Sequence, residues 1–191
     1  MKKKIVTILA LLFVLVGCGV SAEEYSDSLQ ETANEILNYS SETEEILIMY
    51  SKVWDYSIQS RGAIPVEEIM QVTELDENTV REAFEINTAG NIPNDFSTNI
   101  HSLVSYYANT GKLEEIEEKS NEIKEQISDL DNPKGEFESA YNDLLNMYDL
   151  SKQYINMATD PNGSLQDFNE HKNELSNEIL NKYNHLEVAI P

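Results

Sequence analysis

This sequence predicts an all-α fold: an elongated antiparallel helical bundle of about four long helices, with shorter helices in residues 62–110. Three observations carry that expectation. Helix breakers arrive in pairs, Gly62/Pro65, Gly90/Pro93, Pro133/Gly135 and Pro161/Gly163, and leave long stretches largely free of both residues. Within those stretches apolar and small residues recur at three- and four-residue spacing, the period of an amphipathic helix. Period-two alternation of useful length is missing, so no sheet is expected.

The elements follow in order. Ile36, Ser40, Thr43, Leu47, Tyr50, Trp54 and Ser57 form one stripe, widened by Ile46 and Ile58, and predict a helix over about 29–60. Residues 62–110 are the least regular part. Leu113, Ile116, Ser120, Ile123, Ile127 and Leu130 predict a second long helix over 112–130. Asn132-Pro133 opens the third, over 134–159, with Tyr141, Leu144, Tyr148, Ser151, Ile155 and Ala158 on its stripe. Thr159 to Ser164 closes it, and Ser164, with Asp167 three residues on, reads as the N-cap of a last helix over 164–187. A turn that short makes the last two helices an antiparallel hairpin. Trp54, Tyr50, Tyr141 and Tyr148 fall on stripes and are expected in the core.

Ahead of this body, Lys2, Lys3 and Lys4 precede an apolar run from Ile5 to Val16 that ends in Leu15-Val16-Gly17-Cys18. Positive charge, a short apolar core and a small residue before a cleavage point make a secretory signal peptide, and the run is too short to span a bilayer as a stable helix. Its last four residues resemble the lipobox of bacterial lipoproteins. That resemblance implies a diacylglycerol on the Cys18 sulfur, cleavage between Gly17 and Cys18, and residence on the extracytoplasmic face of the cell membrane. The chain then divides into a signal peptide (1–17), a lipidated tether (18–28) and a helical-bundle domain (29–191). A two-chain anchor holds where a single chain is marginal, because each buried methylene contributes about 0.8 kcal/mol.

Charge narrows the partners. Loss of residues 1–17 removes three lysines and no acid, so the net charge moves from −22 to −25. Nucleic acid and bare anionic lipid both require a positive surface and are excluded as partners of such a body. A basic protein or peptide is the natural counterpart. Cys18 is the only cysteine; once acylated, it leaves the body without disulfide, thiolate metal site or redox pair.

Residues 65–84 resemble the helix-turn-helix of transcription regulators. Ile69, Val72 and Leu75 take the places of the first helix and turn core, Asp76 the second N-cap, and Val80 and Phe84 the second helix core. The likeness departs at the turn, where Glu74 stands in place of the usual Gly. Only Arg81 is basic in that stretch, so it reads as a small hairpin that packs or binds a partner, not as a DNA reader. His171, Glu174, Glu178 and His185 share a helix face, but no second ligand pair completes a metal site. Asp160-Pro161-Asn162-Gly163 has the wrong glycine position for a calcium loop. No nucleophile elbow, phosphate-binding loop or cofactor motif is present, so neither an enzyme nor a cofactor is expected.

Aromatic residues off the stripes are better placed to meet a partner than those on them, because Tyr combines contact area with a polar tip. Tyr56 and Tyr106 are the two such positions. The expected function is that of a membrane-anchored, non-catalytic protein-interaction module at the cell envelope. In signal segment and architecture the chain resembles small surface lipoproteins of the Gram-positive type. The alternative is a lipoprotein that binds a small molecule or cation and serves a transporter.

Overall fold

The structure is a computed structural model that describes residues 21–191. The signal segment, Gly17 and Cys18 lie outside those residues. The all-α expectation holds: α1 (Ala22–Gln59), α5 (Lys112–Asp129), α6 (Glu138–Thr159) and α7 (Leu165–Ala189) are the four long helices. The shorter α2 (Val66–Thr73), α3 (Glu77–Ala83) and α4 (Phe96–Asn109) lie between the first two.

α1 starts at Ala22, so residues 22–28, read from sequence as tether, are its first two turns. The reason is local. Ser21 accepts from the Glu24 backbone N–H at 3.1 Å, and the Glu24 carboxylate accepts from the Ser21 N–H at 2.9 Å, a complete capping box. Tertiary contacts hold that first segment down. The Tyr25 ring packs on Phe137 at 4.9 Å between centroids, and its hydroxyl donates to the Leu130 carbonyl at 2.6 Å. At 1.5 Å per residue the 38-residue helix is about 57 Å long. It is the spine against which α4, α5, α6 and α7 all pack.

α6 and α7 form the expected hairpin. Ser164 caps α7 by accepting from the Asp167 N–H at 3.1 Å. The core runs the length of the bundle through Leu29, Ile36, Leu47, Tyr50, Leu103, Leu144 and Leu186. Trp54, Tyr50 and Tyr148 are buried as expected, and the two phenol tips meet different fates. The Tyr50 hydroxyl donates to the Ala158 carbonyl at 3.0 Å, whereas that of Tyr148 has no protein partner among the described residues. Tyr141 is a correction: it is only partly buried, because it sits at the α5–α6 rim with its hydroxyl near the Ile127 carbonyl.

A second correction concerns the sheet. β1 (Ile64–Pro65) and β2 (Asn91–Ile92) pair antiparallel, Ile64 opposite Ile92. Two residues per strand leave no period in the sequence, and the pairing is made by burying both isoleucines. Residues 65–84 fold as a small helical hairpin, α2 followed by α3, in which Val72 and Leu75 are only partly buried. Ile69 and Val80 are fully buried, Asp76 caps α3, and Glu74 occupies the left-handed conformation (φ 63°) usually given to Gly.

Candidate functional site

The two tyrosines singled out from sequence go to different places. Tyr56 is not free: its hydroxyl donates to the Glu68 carboxylate and braces α1 against α2, and that hydrogen bond raises the phenol pKa. Tyr106 lines a cleft of about 540 Å³ between the end of α3 and the outer face of α4.

One wall of this cleft is the α3 exit, where Phe84 is buried and Glu82 and Glu85 point outward. Neither carboxylate makes an ion pair among the described residues, because Arg81 turns to Glu77 at 2.8 Å. The other wall is α4, which presents Thr98, His101, Ser102, Ser105, Tyr106 and Asn109. α4 begins where Asp95 accepts from the Thr98 N–H at 2.9 Å, and its opposite face buries Ile100 and Leu103. Asn99, also buried, donates to Ser57 Oγ and to the Pro93 carbonyl, both at 3.0 Å. That contact locks α4 to α1 and fixes which of its faces looks outward.

The second feature lies at the opposite end of the bundle from the first turn of α1. Phe96 stacks on Trp54 with centroids 5.6 Å apart and planes 10° from parallel, while Phe168 meets the same indole at 5.6 Å and 48°. Trp54 is buried, yet Phe96 is 44% exposed, and Ile58, one turn beyond Trp54, is 55% exposed. Asp95 precedes Phe96, and Asp160 and Asp167 border Phe168. Sequence reasoning missed Phe96. Its 96-100-103-107 spacing reads as core, and only the packing shows that nothing covers its outer face.

Of the remaining sequence candidates, His171 and the Asp160–Gly163 turn border Phe168, whereas Glu174, Glu178 and His185 line neither the cleft nor that border. His171, Glu174, Glu178 and His185 are exposed along α7, and among the described residues no group of three or more His, Cys, Asp and Glu could hold a metal ion. Asp160–Gly163 is the turn between α6 and α7. The phenols of buried Tyr39 and partly buried Tyr107 are both pushed up to about 12 by loss of hydration, so they stay neutral at physiological pH. No helix among the described residues is long and apolar enough to cross a membrane.

No protein-family model matches the chain, and no curated protein or solved structure is significantly similar to it.

Proposed function

We propose that this chain is a membrane-anchored, extracytoplasmic lipoprotein that acts as a non-catalytic protein-interaction module for a basic partner. The observation that carries the reading is half-exposed Phe96 stacked on Trp54, with exposed Ile58 one turn farther along α1, on a body of net charge −25. Burying a half-exposed aromatic on a rigid ring is the usual energetic centre of a protein interface, and the surrounding aspartates favour a cationic rim on whatever covers it. A second copy is disfavoured by like charge. With the lipid on Cys18, the anchor lies at the Ser21 end of α1 and the Phe96 stack near its far end, so the partner is met about 50 Å from the anchored end.

The test is a photo-crosslinking amino acid at Phe96 or at Ile58 in living cells, followed by capture and mass spectrometry. The expected result is one dominant basic envelope protein at both positions, absent when the probe sits at exposed Glu118 on α5. Its purified complex should weaken as salt rises. No position-specific crosslink, or an acidic protein whose binding ignores salt, overturns the reading.

A further inference from the structure

We propose that the cleft between the end of α3 and the outer face of α4 is a binding site for a neutral oligosaccharide. The first observation is compositional. α4 contains no Asp, Glu, Lys or Arg in its 14 residues, although a quarter of the chain is charged and every other described α-helix carries charge. Solubility is supplied elsewhere, by the acids of α1, α5 and α7. A solvated helix face made of hydroxyls, an amide, an imidazole and a phenol therefore needs a different explanation.

The second observation is where those groups point. Several hydroxyls on the other helices fold back to the carbonyl one turn earlier, as Thr32, Thr43, Ser51, Thr73 and Thr159 do. The side chains of Ser102, Ser105, Tyr106 and Asn109 make no hydrogen bond within the protein among the described residues, and all four line the cleft. Opposite them, Glu82 and Glu85 are carboxylates without a cation.

A sugar ring is the ligand that uses all of these at once. Its vicinal hydroxyls donate to a carboxylate, the charge-assisted and stronger kind of hydrogen bond, and both donate to and accept from serine hydroxyls and an asparagine amide. Its apolar C–H face stacks on an aromatic ring. Tyr106 stands edge-on to Tyr107, centroids 5.5 Å apart at 65°, which fixes its ring at the cleft wall. The volume, about 540 Å³, lies within the range of small-ligand sites. An anionic polymer would meet two carboxylates on a chain of net charge −22. A purely apolar ligand would strand the polar wall. This site is separate from the Phe96 stack and does not depend on the protein partner proposed above.

The experiment is saturation-transfer difference NMR on the full chain in detergent micelles. The probes are cellotetraose, maltotetraose, the β-1,4-linked N-acetylglucosamine tetramer, tetra-galacturonate and a tetra-arginine peptide. The expected result is transfer to at least one neutral tetramer and none to tetra-galacturonate. Tyr106→Ala should weaken binding at least tenfold, and Ser105→Trp, which fills the cleft from an exposed position, should abolish it; Phe96→Ser should leave it unchanged. Circular dichroism checks that each variant is folded, and Ser105→Trp decides the matter if Tyr106→Ala is not. Silence from all three neutral tetramers, or transfer that survives Ser105→Trp, overturns the site. Displacement of the sugar by tetra-arginine at equal concentration also overturns it, and would give the cleft to the basic partner.

Discussion

Tyr25 and Leu130, 105 positions apart, meet through a 2.6 Å hydrogen bond from the phenol to the backbone carbonyl. The bond joins the first turn of α1 to the residue that ends α5, so the part of the chain nearest the proposed anchor belongs to the folded body. Tyr25→Phe keeps the ring on Phe137 and removes only the donor. It should cost about 1 kcal/mol in urea unfolding of the full chain. A change near zero would mean that water replaces the phenol and that the first turns of α1 are fastened by packing alone.

Glu74 holds a left-handed conformation, which costs a residue with a Cβ roughly 1–2 kcal/mol. Its ion pair with Lys52, 3.6 Å and exposed at both ends, contributes little in return. Glu74→Gly removes the strain but loosens the unfolded chain by about 0.4–1 kcal/mol, so a net gain of about 0.5 kcal/mol is expected. Thermal unfolding, with Glu74→Ala as the comparison, checks the sign; Ala should not gain.

Glu42 lies between Lys112 and Lys119, with contacts of 2.8 and 2.9 Å, and these hydrogen bonds hold its carboxyl below the ordinary glutamate value of 4.5. A depressed carboxylate stabilises the fold above its unfolded pKa, and that contribution disappears as pH falls through the folded value. The wild type should therefore exceed Glu42→Gln in stability at pH 7, and the difference should shrink steadily below about pH 4.5. Both lysines are raised above 10.5 by the same contacts, so their share persists at neutral pH and is lost only as pH rises past their folded values. Paired urea melts from pH 3 to pH 7 measure the difference directly. Relief of repulsion among the other acids affects both proteins and cancels.

Cys18→Ser tests the anchor. The precursor should remain uncleaved between Gly17 and residue 18, and released material should move to the soluble fraction. A membrane-bound mature form of normal size would refute lipidation at that position.

Much of the fold was legible because helices are local. The spacing in α5 and the Ser164–Asp167 cap of α7 mark those helices within a residue or two, since a stripe and a cap each need only neighbours along the chain. The Ser21–Glu24 capping box was equally legible but read as tether. The β1–β2 pair was not, because four residues brought together by tertiary folding carry no period of their own.

From its sequence alone this protein had its all-α class, its four long helices, its acidity and the lipobox likeness at Cys18 legible. The first two come from side-chain spacing and caps, and the last two from composition and a short motif. Tertiary structure decided which faces are covered. Tyr56, off its stripe, is tied down by Glu68 from α2, whereas Phe96, on its stripe, is left half exposed because Trp54 covers only one side of it. The same packing turns the uncharged wall of α4 toward Glu82 and Glu85. Periodicity says which face of a helix is apolar or polar; only the placement of the neighbouring helices says what that face meets.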